Sequence, residues 1–376
     1  MRMSPDLSHH QARQEKFFSL IQDAGLSAFA INAGNNLEYM TGLRFDLMER
    51  PVVAFFAPEM PVTLVLPEFE TGRAKACDFP VRLFAYGEDP SKWDAAFAAA
   101  VESLGGLRGS VGVEARALRV LELRYLEGAA PAASFDTHDE LLSALRMTKD
   151  AAEIEKMQHA VDIAQQALLA FLPAVNVGVT ESELAAELTL QLLRAGSSPG
   201  VAFPPIVASG LNSANPHATP TGRRLQEGDL LVVDWGAAYQ GYISDLTRTF
   251  ILGKMDADFA RIAGIVRQAN LAGCQAAAPG ARAGDVDVAA RAVITQAGYE
   301  EYFLTRTGHG IGMDVHEDPY MFAQNETKLM PGMTFTVEPG IYIAGRGGVR
   351  IEDNVVVTET GCRVLSSLER DLLVVG

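Results

Sequence analysis

The stretch DLLVVDWGAAYQGYISDLTRTFILG, residues 229–253, sets two acids, Asp234 and Asp245, inside two otherwise apolar runs. The runs flank Gln240-Gly241 and read as two strands joined by a tight turn. Pairing Tyr239 with Tyr242 places Asp234 opposite Thr247 and Asp245 opposite Gly236. Side chains alternate faces along a strand, so Asp234, Gly236, Asp245 and Thr247 share one face. The two carboxylates become diagonal neighbours, roughly 7–8 Å apart by backbone position, and Gly236 is read as leaving open space opposite Asp245. Two like charges on an apolar face are costly unless something positive lies between them. A fold that contains this hairpin has to bring a cation to it.

The pattern recurs near the C-terminus. In MTFTVEPGIY (333–342), Glu338 ends an apolar strand; in GVRIEDNVVVT (348–358), read as one strand, Arg350 and Glu352 face one side and Ile351 and Val355 the other. Each carboxylate alone has a plain explanation, solvation or an arginine partner. Four of them in apolar β-structure, with His309 and His316 in the glycine-punctuated TRTGHGIGMDVHEDP (305–319), point to a metal centre. Gly308, Gly310 and Gly312 argue against a helix there. In an unbroken strand the two histidines would face opposite sides, so a bend or bulge is required to bring both to one site. Four carboxylates and an imidazole form an oxygen-rich, hard donor set. Asp245 and Glu352 can bridge two divalent ions that hold one hydroxide and activate it near neutral pH. Mn2+ suits the donors better than Zn2+; Co2+ and Zn2+ are the alternatives.

The chain has 376 residues, 48% of them hydrophobic, so two domains are expected. Its net charge of −16 argues against nucleic acid or an anionic membrane as partner. Cys77, Cys274 and Cys362 form no CxxC pair, so neither a disulfide framework nor a cysteine zinc site is indicated. The opening residues 1–18 lack an apolar leader, and the chain has no long apolar run, so a cytoplasmic protein is expected. Strand readings at 26–32, 52–57, 62–67 and 109–114 alternate with helical ones at 9–23 and 118–126, as in an α/β domain over residues 1–140. From 141 to 376 the expected elements are helical spacing across 141–172 whose main helix Thr148 or Asp150 caps, a second helix at 181–195, strands at 229–239, 242–252, 332–338 and 349–358, and helices near 257–278 and 284–298.

In the contexts VVDWG, SDLTRTF, GHGIGMDVHE, TVEPGIY and RIEDN, the series Asp234, Asp245, His309, Glu338, Glu352 resembles the pita-bread metallopeptidases: methionine aminopeptidase, aminopeptidase P, prolidase and creatinase. The resemblance implies an α+β pita-bread catalytic domain behind an amino-terminal domain like that of creatinase and prolidase. That extra domain, with NPHATP (215–220) and VRIEDN, favours the proline-specific branch. It further implies that Asp234 chelates one ion, Asp245 and Glu352 bridge, and His309 and Glu338 bind the other. Glu338 also passes a proton to the leaving nitrogen, His316 and His217 hydrogen-bond the substrate, and Arg350 pairs with Asp234. Phe203 lines the pocket for the residue before proline. Two departures stand out: Thr305 replaces a histidine common four residues before the metal-binding one, and Tyr320 stands where some prolidases have arginine. A dipeptide's carboxylate needs a cation, and Arg50, in a loop of the amino-terminal domain, is the sequence-based candidate. The expected activity is hydrolysis of the Xaa-Pro bond in dipeptides. The alternatives are aminopeptidase P acting on longer peptides and a non-catalytic binding protein on the same fold. A homodimer is implied by the family.

Overall fold

A serine opens the first helix. The Ser8 hydroxyl accepts from the Gln11 amide and the Gln11 side chain accepts from that of Ser8, a reciprocal cap that starts α1 (His9–Asp23). The structure, a computed structural model, describes residues 8–376; the first seven residues of the opening segment considered above lie outside it. The chain divides into two compact units, one ending at Arg146 and one spanning Met147–Gly376.

The first unit follows with β1 (Ala28–Asn32), α2 (Asn35–Thr41), β2 (Val53–Phe56), β3 (Val62–Pro67), α3 (Thr71–Ala74), β4 (Val81–Tyr86), α4 (Trp93–Ser103), β5 (Gly109–Val113), α5 (Val120–Ala129), β6 (Ala133–Thr137) and α6 (Asp139–Arg146). Its strands form one mixed sheet in the order β4-β3-β2-β1-β5-β6. Phe55, Val65 and Val111 of the sheet pack with Trp93 and Phe97 of α4 and Leu126 of α5. The two outer strands, β4 and β6, were not legible in sequence, because each is only half covered and carries polar residues. The last helix, α6, belongs to this unit: the Tyr39 hydroxyl donates to Leu145 O at 3.0 Å, and Arg146 Nη1 donates to Asn36 Oδ1 at 2.6 Å. The long helical pattern read across 141–172 is therefore two helices.

The second unit begins with α7 (Ala151–Phe171), capped by Asp150 with Glu153 returning the bond; Thr148 instead forms a β-bridge with Met333. Then come α8 (Glu181–Arg194), β7 (Ile206–Ser209), β8 (Leu230–Trp235), β9 (Ala238–Tyr239), β10 (Tyr242–Ile243), β11 (Leu246–Leu252), α9 (Ala257–Ala276) and α10 (Ala283–Gln296). The remainder is strand: β12 (Gly308–Gly310), β13 (Glu317–Met321), β14 (Thr334–Val337), β15 (Gly340–Ile343), β16 (Gly347–Arg350), β17 (Asp353–Thr358), β18 (Gly361–Val364) and β19 (Leu373–Val375). Two sheets result, β19-β11-β8-β7 and β13-β12-β14-β17-β18, with β9/β10 and β15/β16 as separate ribbons. Helices α9 and α10 cover them. Ile262, Val266 and Ile294 pack with Ile251, Ile341 and Val349, while Cys274 and Val286 pack with Phe335, Val337 and Val355.

The hairpin register is the expected one: Tyr239 pairs with Tyr242, and Thr247 pairs with Asp234. Gly236 has another reason than open space. A Cβ there would lie 2.0 Å from the Ser244 carbonyl oxygen, so close backbone approach demands glycine. The strand read across 349–358 is also broken. Chain in β16 pairs with β15, and chain in β17 pairs with β14 in the larger sheet. At the crossing, Ile351 N–H donates to Pro339 O, and Glu352 exchanges backbone bonds with Thr247.

One buried acid in the first unit gives pH dependence. Glu114, just after β5, accepts from Asn32 N at 2.8 Å and from Asn36 Nδ2 at 2.6 Å. Burial raises its pKa more than these bonds lower it, to about 7. The folded state thus holds the proton more tightly than the unfolded chain, whose carboxyl titrates near 4.5. The resulting stability is complete below that value and is lost as pH rises through about 7. Amide protection in β1 and β5, corrected for intrinsic rates, should fall with pH more steeply in the wild type than in Glu114→Gln. Parallel profiles would mean that the carboxyl titrates alike in both states.

Candidate metal centre

The four carboxylate candidates stand where the chain leaves one sheet or ribbon for another. Asp234 is the penultimate residue of β8 and Asp245 immediately precedes β11. Glu338 lies between β14 and β15, and Glu352 between β16 and β17. His309 is the middle residue of β12, whose pairing with β13 shifts register between Gly308 and Gly310. The chain bends again over residues 312–316, between β12 and β13, and this is the bend expected from the histidine spacing. The His309 and His316 rings lie with centroids 4.0 Å apart.

The donors converge. Asp245, His309 and Glu352 offer ligand atoms all within 4.8 Å of one another. His309 Nε2 is 3.2 Å from Glu338 Oε1 and 3.7 Å from Asp245 Oδ2. The Nδ1–H of His309 donates to Gly310 O at 3.1 Å, which leaves Nε2 as the atom facing the carboxylates. Four of the five groups are thereby collected around one point, and Asp234 is near enough for its charge to act on Asp245 and Glu352.

Their surroundings fix them individually. Arg350 Nη2 donates to Asp234 Oδ2 at 2.6 Å, and its Nη1 reaches the Tyr342 hydroxyl at 2.9 Å and Pro216 O at 3.2 Å. Thr247 is the hinge between two ligands: its hydroxyl donates to Glu352 Oε2 at 2.6 Å and accepts from Arg350 Nε at 3.0 Å. The Thr336 hydroxyl donates to Glu338 Oε1 at 3.1 Å and accepts from the His309 amide at 3.1 Å. Asn354 holds the Asp245 backbone through both its amide atoms. Beneath them, Arg248 donates to Glu352 O at 2.7 Å and to Asp353 Oδ1 at 2.7 Å.

Burial pushes Asp234, Asp245 and Glu352 above the usual carboxylate range, and the neighbouring carboxylates push Asp245 and Glu352 further. Burial acts on Glu338 the same way, but the hydrogen bond and charge of His309, with Arg350, bring it below that range. Four carboxylates face one arginine, and two of their oxygens, Asp234 Oδ1 and Glu352 Oε1, are buried without a hydrogen-bond partner. Orphaned acceptors of this kind are rare in folded proteins unless an ion or water satisfies them. Hard oxygen donors, an imidazole and unsatisfied carboxylate oxygens fit divalent metal.

The other expected residues fall around this point. His316, whose pKa burial and the His309 charge lower to about 4, has its ring tilted at 51° to that of His309. His217 lies on an exposed segment, close enough for its charge to act on His316. Phe203 lies against Gly236, where a Cβ would be 2.9 Å from its ring edge. Tyr320 is half-buried on β13 beneath the Arg306 guanidinium, 4.2 Å from its ring centroid. Arg50, in the first unit, donates to Glu88 at 3.2 and 2.7 Å and also pairs with Glu49.

Sequence reasoning missed Glu181. Fully buried at the start of α8, it accepts from Ser209 N at 2.6 Å, Asn212 Nδ2 at 3.0 Å and Thr221 Oγ1 at 2.6 Å. It ties both ends of the segment that carries His217. An acid in a helix's first turn is ordinary, so the sequence gives no signal of this role.

Comparison with known proteins agrees with the geometry. Residues 155–359 match the model of metallopeptidase family M24, and residues 13–148 match the creatinase/prolidase N-terminal domain. An Xaa-Pro dipeptidase of Lactobacillus helveticus is 34% identical over 96% of this chain and 98% of its own. The crystal structure of a dipeptidase from Pyrococcus horikoshii OT3 superposes with a TM-score of 0.90 at 39% identity, covering 96% of this chain and 100% of that one. An X-Pro aminopeptidase from Thermotoga maritima matches with a TM-score of 0.84 at 32% identity, over 96% and 99% of the two chains.

Returning divalent metal to chelator-stripped protein should raise its melting temperature, since a ligand at a hundredfold its Kd stabilises by about 2.7 kcal/mol. Glu352→Gln removes a central charged donor and should lose at least half of that shift at the same metal concentration. Equal shifts in calorimetry would place the metal elsewhere.

Proposed function

This chain belongs to metallopeptidase family M24, and from that premise we propose that it is an Xaa-Pro dipeptidase working with two divalent ions, Mn2+ in preference to Zn2+. The observation that carries the metallopeptidase reading is the convergence of Asp234, Asp245, His309, Glu338 and Glu352 beside His316. The proline preference rests on the Xaa-Pro relatives, which align over nearly their whole length. The choice of Mn2+ rests on the oxygen-rich donor set.

Asp234, Asp245, His309, Glu338 and Glu352 would hold the ions. Metal bound there supplies an activated water and stabilises the oxyanion formed when it attacks. The nitrogen of an Xaa-Pro bond is tertiary and carries no hydrogen, so it must be protonated to leave. Glu338 carries that proton from the attacking water to the proline nitrogen. Thr336 keeps the carboxylate oriented and His309 keeps it ionised. His316 and His217 hydrogen-bond the substrate on the open side, and Arg350 holds Asp234 in register through the transfer. Phe203 offers an apolar surface to the residue before proline.

Two features bear on the setting. The three cysteines are free thiols, which suits a cytoplasmic enzyme. Among the described residues no helix is long and apolar enough to cross a membrane. A homodimer, implied by the family, is checked by light scattering.

Aminopeptidase P is the second reading, favoured by one observation: Arg50 pairs with Glu88 and Glu49 and would have to exchange these surface partners to cap a dipeptide. The deciding measurement compares Leu-Pro with a Leu-Pro-Xaa tripeptide, using stripped enzyme with and without Mn2+. The dipeptidase reading expects Mn2+-dependent hydrolysis at about two ions per chain, with the dipeptide preferred. Preference for the tripeptide would establish the aminopeptidase. Glu338→Gln should lower kcat by about 100-fold or more with a smaller change in KM, as loss of a proton carrier requires.

A further inference from the structure

A dipeptidase must recognise the carboxylate at the end of its substrate, and a carboxylate in a partly buried site is best met by arginine. Tyr320 brings no charge to its position, and Arg50 is held by two acids. Arg306 remains. It lies three residues before the ligand His309, half-buried, with its guanidinium carbon 4.2 Å from the centroid of the Tyr320 ring. Among the described residues no carboxylate pairs with it, in contrast to Arg50, Arg248, Arg291 and Arg350.

The setting of Arg306 is fixed on both sides. Before it, the Thr305 carbonyl accepts from Arg291 Nη2 at 2.8 Å. After it, the Thr307 amide and hydroxyl both donate to Asp287 Oδ1, at 3.1 and 2.7 Å, and Asp287 in turn pairs with Arg291. The Thr307 amide N also lies 3.0 Å from Met321 O, the residue after Tyr320. The arginine therefore springs from a clamped backbone and rests on an aromatic face. A cation–π contact occupies the flat face of a guanidinium and leaves its N–H edge available. Arg306 is also near enough to His316 for its charge to act on that ring. A pre-oriented guanidinium on an aromatic platform, close enough to act on His316, is the arrangement that bidentate recognition of a carboxylate calls for.

We propose that Arg306, supported by the Tyr320 ring, binds the C-terminal carboxylate of the dipeptide and so determines preference for dipeptides over longer or amidated substrates. This rests on the dipeptidase reading above. A purely structural role, propping Tyr320, makes a different prediction: loss of folding stability with all substrates affected alike.

The test compares Leu-Pro with its C-terminal amide, Leu-Pro-NH2, in Mn2+-loaded wild type, Arg306→Lys, Arg306→Met and Tyr320→Leu, each checked by its melting temperature. In the wild type the acid is the better substrate. In Arg306→Met the KM for Leu-Pro should rise about 10–100-fold, as expected for loss of a charge-assisted hydrogen bond, and the preference for acid over amide should collapse. Arg306→Lys should recover part of the preference, having the charge without the fork. Tyr320→Leu should weaken it by a smaller factor. Should Arg306→Met fail to fold, Arg306→Lys and Tyr320→Leu carry the same comparison. An unchanged acid-to-amide ratio in folded variants overturns the assignment of Arg306 while leaving the dipeptidase intact. If the wild type hydrolyses neither substrate with metal bound, the dipeptidase reading itself falls and the assignment falls with it.

Discussion

Four carboxylates in a space a few ångströms across repel one another, and much of the second unit can be understood as the means of tolerating that repulsion. Burial takes away the water that would screen them. One arginine, Arg350, reaches Asp234, the His309 imidazole faces Glu338 and Asp245, and other oxygens are met by neutral hydroxyls or by nothing. Such a cluster is unfavourable as a folding element on its own. It is held because each acid sits where the backbone is already committed: Asp234 and Asp245 to the β8/β11 hairpin, Glu338 and Glu352 to the crossings between the small ribbon and the larger sheet. The apolar cores beneath α9 and α10 supply the stability that the charges cost. Cation binding then relieves the strain that the fold has stored.

The supports are arranged in a second tier of buried charge that is, unlike the first, fully paired. Arg248 bonds the Asp353 carboxylate and the carbonyls of Thr247 and Glu352; Arg370 closes the same carboxylate from the other side at 2.7 Å. Lys149, almost fully buried, pairs with Glu317 next to His316. Gly312 has no room for a Cβ because that pair occupies the space. Paired buried ions are weak sources of net stability, yet breaking one leaves an uncompensated charge. They therefore specify positions strongly. The ligand-bearing backbone is located by these pairs, so the metal does not have to assemble it.

How much of this was legible depends on whether the information is local. The hairpin was readable to the residue, because the turn fixes register and the side-chain period then fixes the face. The carboxylates and histidines were readable as a candidate donor set, and the bend between His309 and His316 followed from their spacing and the glycines. Gly236 was misread, since sequence shows a missing side chain but not the Ser244 carbonyl that excludes one. The break at Ile351-Glu352 was hidden because Arg350 and Glu352 alternate with Ile351 as they would in a continuous strand, and the chain changes sheets there without glycine or proline. Thr247, Thr336 and Asn354 stood in the quoted motifs without assigned roles. Glu181 was invisible, since its partners lie 28 to 40 positions along the chain.

Arg306 shows the same limit in another form. A residue-by-residue comparison asks whether a cation stands at position 320 and finds tyrosine. Substrate charge, however, is recognised in space and not at a position. β12 and β13 are neighbouring antiparallel strands, and a side chain from the approach to one can cover a residue on the other. An arginine beside β12 thus lays its guanidinium over the ring at 320, and the aromatic residue becomes its platform. The pair provides together what one arginine would provide alone: the ring limits the freedom of the long side chain, and the guanidinium supplies the charge. A charge that looks missing along the sequence can be present in the site, carried by the opposite strand.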